Sequence, residues 1–138
     1  MYYCQHQINS MSKTISELVN IKVETKFSEL QSDVENDMYF FTYHILIENN
    51  SDHTIQLVYR KWNITDSNGE NRFVEGEGVV GEKPVLRSGE FYGYYSGCVL
   101  QTGVGRMSGT YIFRLQDAGG HFEVPIPEFN LILPWVLN

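Results

Sequence analysis

A chain of 138 residues with 42% hydrophobic side chains can bury one core without metal or disulfide staples, and its length suits a single domain. Ten basic residues against seventeen acidic ones leave a formal net charge of -7, and no basic run exceeds Arg60-Lys61, so the clustered cations that nucleic-acid phosphates require are missing. The two cysteines, Cys4 and Cys98, suit a reducing, cytoplasmic setting, and no apolar stretch reaches the ~20 residues of a membrane helix.

In chain order, residues 1–18 carry no sustained pattern, lack the apolar centre of a secretory signal, and are expected to form a poorly ordered extension in which 12–18 is the one helix candidate. A domain is expected over 19–138, because from residue 19 a period of two takes over. Val19, Ile21, Val23, Thr25 and Phe27 alternate with Asn20, Lys22, Glu24 and Lys26, which describes a strand with one wet face. Tyr39, Phe41, Tyr43, Ile45 and Ile47 form an apolar row backed by a mixed one, the pattern of a central strand. Asn49, Asn50, Ser51 and Asp52 then supply turn chemistry, since short polar side chains bond to nearby backbone.

A strand over 54–65 follows with broken alternation. Ile55, Leu57 and Tyr59 fall on one face and Val58, Trp62 and Ile64 on the other, which implies a bulge or burial on both sides. Asn68-Gly69 is the strongest hairpin signal in the chain and predicts a short partner strand over 70–74, followed by a glycine-rich loop. Tyr92, Tyr94, Ser96, Cys98 and Leu100 mark the next strand, and Met107, Gly109, Tyr111, Phe113 and Leu115 the one after. Phe122, Val124 and Ile126 continue it beyond the turn at 117–120, with Pro125 and Pro127 requiring an edge or an end, and the alternation restarts out of phase at Phe129, Leu131 and Leu133. The apolar tail beyond, 132–137, is expected to dock on the domain. About seven strands and no sustained helical period predict an all-β antiparallel sandwich or barrel.

Several pieces in fixed order resemble one family: Gly76-Glu77-Gly78-Val79-Val80-Gly81, then Pro84, Gly89-Glu90, Tyr92-x-Tyr94-x-Ser96-Gly97-Cys98-x-Leu100 and Gly105-x-Met107-x-Gly109-x-Tyr111. Arg60-x-Trp62-x-Ile64-x-Asp66 upstream and Phe122-x-Val124-x-Ile126-Pro127-x-Phe129 downstream extend the resemblance, which is to the ApaG domain family, over roughly 19–131. The resemblance implies a fibronectin type III-like (immunoglobulin-like) β-sandwich without agreed catalytic residues. It also implies a link to cobalt resistance, magnesium efflux and diadenosine tetraphosphate metabolism. The extension before residue 11 and the apolar tail depart from the family pattern.

Gly76, Gly78 and Gly81 stand in G-x-G-x-x-G spacing, but Pro84 and the lack of helical periodicity afterwards remove the strand-to-helix context in which that spacing cradles a pyrophosphate. A helix-free version leaves Gly76, Glu77, Gly78, Gly81 and Lys83 as a candidate loop for a weak phosphate, nucleotide-polyphosphate or divalent-cation ligand, with Glu75, Glu77 and Glu82 opposing an anion. The plainer alternative is that these glycines only bend the backbone. His6, His44, His53 and His121 lack metal-ligand spacing, Cys98 reads as a buried thiol and Trp62 as core. The expectation is therefore a non-enzymatic module with no resident metal or cofactor. It would bind an unknown protein partner or a second copy of itself through a sheet edge, loops, or Tyr2, Tyr3 and Trp135 with the tail.

Overall fold

The computed structural model describes residues 13–137, and within them the fold is two antiparallel sheets. Eight strands occur: β1 (Val19–Phe27), β2 (Tyr39–Asn49), β3 (Ile55–Asp66), β4 (Asn71–Glu77), β5 (Val85–Leu86), β6 (Phe91–Leu100), β7 (Val104–Leu115) and β8 (His121–Ile132). One sheet runs β1-β2-β6; the other runs β4-β3-β7-β8, with β5 beside β4 on the same edge of β3. Three strands facing four in this order is a fibronectin type III-like sandwich. The expected fold class holds, and the strand beyond the expected seven is the two-residue β5.

The core fills from the inward rows of both sheets. Phe41, Tyr43, Ile45 and Ile47 of central β2 face Trp62 and Ile64 of β3 and Tyr111 and Phe113 of β7, all buried. Trp62 sits at the middle of this layer, edge-on to Tyr43, Tyr111 and Phe129 at ring separations of 5.8, 6.2 and 5.8 Å. Gly109 makes that possible, since a Cβ there would lie 2.9 Å from the indole and 2.3 Å from the Lys61 carbonyl oxygen.

Both irregularities of the alternation are bulges. Leu57 pairs with Phe113 but Tyr59 with Ile112, so Val58 is an extra residue that moves burial from odd to even positions along β3. Met107 pairs with Phe129 but Gly109 with Ile126, which keeps β8 a single edge strand through Pro125 and Pro127 and explains its change of phase.

Two expectations need correction. The partner strand of the hairpin does not stop at residue 74: Gly76 and Glu77 remain in β4, paired with Arg60 and Tyr59. The helix expected over 12–18 is, within the described residues, one 3-10 turn at Ser16–Leu18, because the short amphipathic run leads directly into β1. The rest of the extension expected to be poorly ordered, with Tyr2, Tyr3, Cys4 and His6, lies outside the described residues. At the other end Leu131 and Leu133 are buried and the Trp135 ring stands edge-on to Phe27 at 5.6 Å, yet Trp135 and Val136 stay half exposed. The turn after β2 is built by Asn49, fully buried, whose amide donates to the His53 and Leu86 carbonyls while its oxygen accepts from Ser51.

Candidate functional site

The glycine-rich segment is a small hairpin set into the edge of β3. The Gly78 N–H donates to the Val58 carbonyl, freed by the bulge, and the Leu57 N–H donates to Pro84, so the chain leaves β3 after β4 and rejoins it at β5. Between these anchors Val79 and Glu82 exchange both backbone hydrogen bonds at 2.8 Å around Val80 and Gly81, whose φ values of 44° and 80° make a two-residue turn of the type I′ kind. The Val79 side chain is fully buried and pins the hairpin to the core. Gly78 is obligatory: at φ 62° an added Cβ would stand 2.2 Å from the Glu82 carbonyl oxygen.

The five candidate ligand residues therefore divide. Gly76 and Glu77 belong to β4, Gly78 and Gly81 shape the hairpin, and Lys83 reaches back to Glu77 at 3.5 Å. The N–H groups of Gly78, Val79 and Glu82 already donate to backbone carbonyls. Gly76 has another use: its missing side chain leaves room for the Arg60 guanidinium, which lies where a Cβ would be 3.2 to 3.4 Å from it and donates to the Glu77 and Gly78 carbonyls at 3.0 and 2.9 Å.

Arg60 stands at one end of a layer of phenols between the sheets. The Tyr94 and Tyr111 hydroxyls are hydrogen-bonded to each other, and Tyr43 lies opposite Ser96 across β2 and β6. Burial pushes all three phenols above their ordinary value, most strongly Tyr111, against the pull of the Arg60 charge. Burial likewise pushes the Cys98 thiol up, although Arg72 at 3.7 Å favours the thiolate, so the thiol stays protonated near neutrality. Among the described residues no three His, Cys, Asp or Glu side chains converge as a metal would need.

The two long sides of the sandwich differ. β1 and β8 approach each other, with Thr25 donating to the Asn130 carbonyl across the gap. β4 and β6 do not pair, and a cleft of about 330 Å³ opens between them, reaching inward to Trp62, Tyr43 and Met107. β6 bonds only to β2. Because the Asn49 N–H takes the Glu90 carbonyl, alternation turns the N–H and C=O groups of Phe91, Gly93, Tyr95, Gly97 and Val99 away from β2, and of these the Val99 carbonyl accepts from Arg72. On the outer face of the same strand Phe91 and Tyr95 are 68% and 73% exposed, and the Tyr95 ring leans on His44 at 4.4 Å. Sequence reading missed that Arg60 and Arg72 line one cleft. Counting outward from the Asn68-Gly69 turn sets Ile64 against Arg72 and Arg60 against Gly76, which puts both arginines on the face of Trp62 but says nothing of β6 across from them.

A three-on-four antiparallel sandwich with one closed and one open side defines the class of protein. Its family follows from comparison with known proteins. The ApaG domain profile matches residues 29–115. A protein of Vibrio campbellii named Protein ApaG is 47% identical over 124 residues, covering 90% of this chain and 98% of the relative. One from Brucella canis, of the same name, is 44% identical over 124 residues, covering 90% and 95%. The crystal structure of a Bordetella pertussis protein described as a putative ApaA protein superposes with a TM-score of 0.80 at 40% identity, covering 84% of this chain and 94% of that one. The chain belongs to the ApaG family. The names of these relatives state no reaction, and among the described residues no helix is long and apolar enough to cross a membrane.

Proposed function

We propose that this chain is a non-catalytic, cytoplasmic binding module that recognises a protein partner by adding a strand of that partner to β6. The observation that carries the reading is the edge itself. β6 runs ten residues, Phe91–Leu100, without one charged residue or proline, while its outward N–H and C=O groups lack a neighbouring strand. Exposed edges are normally blunted by charge, proline or a bulge, and β1, β4 and β8 each carry such features. An extended segment laid along β6 would pair with these backbone groups, and Phe91 and Tyr95 would grip its alternate side chains. The family's association with cobalt resistance and magnesium efflux then acts through the partner and not through a metal held here.

The test compares the intact chain with Tyr95→Lys and Phe91→Lys in capture from a lysate and in sedimentation. A partner or dimer that both substitutions abolish, with thermal unfolding unchanged, supports the reading. A chain that captures nothing and stays monomeric at high concentration ends it. NMR titration with ATP, diadenosine tetraphosphate, Mg²⁺ and Co²⁺ addresses the competing reading, a nucleotide-polyphosphate or divalent-cation site at Gly76, Glu77, Gly78, Gly81 and Lys83. Saturable shifts confined to that hairpin would favour it.

A further inference from the structure

The cleft between β4 and β6 has an electrostatic character opposite to that of the whole chain. Arg60 and Arg72 both line it, Arg60 half-buried and Arg72 at the mouth, and neither is within 4.0 Å of a carboxylate among the described residues. Elsewhere in this acidic protein Arg87 pairs with Glu90 and Arg106 with Glu128. Arg60 and Arg72 are held by backbone carbonyls, of Glu77 and Gly78 in one case and Val99 in the other, which fix the side chains without neutralising them. A guanidinium has five N–H donors, and these bonds use Nη1 of Arg60 and Nη2 of Arg72, leaving donors on both for a further acceptor. Asp66, whose charge is felt by Cys98, already accepts from the Gln101 N–H and the Thr102 hydroxyl.

The rest of the cleft is apolar or neutral. Trp62, Ile64 and Met107, all buried, form its floor, and Tyr43 and Ser96 also line it. Two oriented, uncompensated guanidiniums above an apolar floor suit a ligand with an anionic head and an apolar body, since a charge-assisted hydrogen bond gains most where water is partly excluded. Inorganic anions alone would leave the floor unfilled.

We infer that this cleft binds a small organic oxyanion, a carboxylate or phosphate on an apolar body, with Arg60 and Arg72 holding the head and Trp62, Ile64 and Met107 receiving the body. The cleft adjoins the outward edge of β6, sharing Gly97 and Val99 with it, and is distinct from the hairpin turn at Val80 and Gly81.

Three probes test it on the full chain by NMR titration: phenyl phosphate, benzoate and benzyl alcohol, the last having the ring without the charge. Phenyl phosphate or benzoate is expected to give saturable shifts at Ser96, Cys98, Val99 and the Trp62 indole, and benzyl alcohol much smaller ones; whichever acid binds tighter identifies the head group. Arg72→Met should weaken binding about tenfold or more, as expected for loss of a hydrogen-bonded charge, and Arg72→Lys less. Thermal unfolding of both variants verifies the fold. No shift up to about 10 mM of either acid, a range that spans millimolar dissociation constants, overturns the inference. So would equal binding of benzyl alcohol, unaltered affinity in Arg72→Met, or shifts confined to residues 78–83.

Discussion

The β1/β8 side of the sandwich and the β4/β6 side are made from the same kind of strand but finished differently. On the first, Lys22, Glu24 and Lys26 mark β1, Pro125, Pro127 and a bulge mark β8, and Leu131 and Leu133 carry the core to the rim. On the second, every residue of β4 is exposed except Gly76, β6 carries no charge, and the Arg72 guanidinium reaches across to the Val99 carbonyl in a cleft that Arg60 also lines. The difference teaches where selection for stability ends: the closed side is protected against further pairing, and the open side retains backbone groups, aromatic rings and positive charge that folding alone does not require.

The largest expected effect lies where both sides meet. Trp62→Ala removes the ring at the centre of the core and on the floor of the cleft, and should cost about 3 to 5 kcal/mol in chemical denaturation. A cost below about 1 kcal/mol would mean that the open side is not packed as described.

Next is the phenol layer. Tyr111→Phe should cost about 1 to 3 kcal/mol by leaving the buried Tyr94 hydroxyl without its partner. In the native state burial raises these phenols above their unfolded value, so the unfolded chain releases its phenolic protons first as pH rises. Stability is therefore full below about pH 10 and falls above it. Alkaline unfolding followed by tyrosinate absorbance should show these phenols ionising together with loss of the fold.

The smallest effect sharpens the contrast. Phe73→Ala on β4, where the ring is 77% exposed, should shift stability by no more than about 0.5 kcal/mol, against about 2 to 5 kcal/mol for Leu131→Ala on the closed side. Similar costs for the two would erase the distinction between the sides.

Several particulars show how far the sequence could be read. The rows from Val19, Tyr39, Tyr92 and Met107 were legible because one face of each strand is buried, and burial writes a period of two into the residues. Gly76 and Glu77 were read as loop because glycine usually marks one, whereas pairing with Arg60 and Tyr59 holds them in β4. β5 has two residues, too few for any period, and is defined only by its bonds to Ile55 and Gln56. Broken alternation along residues 54–65 left a bulge and burial on both sides as alternatives, and only the pairing with β7 places a bulge at Val58, whose carbonyl accepts from Gly78.

The amino-acid sequence by itself determined the strand content, the hairpin at Asn68-Gly69, the central burial of Trp62 and, through the order of its motifs, the family. These depend on near neighbours in the chain, whose periodicity and turn chemistry are local. Tertiary structure alone decided which edges stay open and that Arg60 and Arg72 share one cleft. Both outcomes depend on strand order and register between distant segments, and a cross-strand register is a relation between residues that no single stretch of sequence contains.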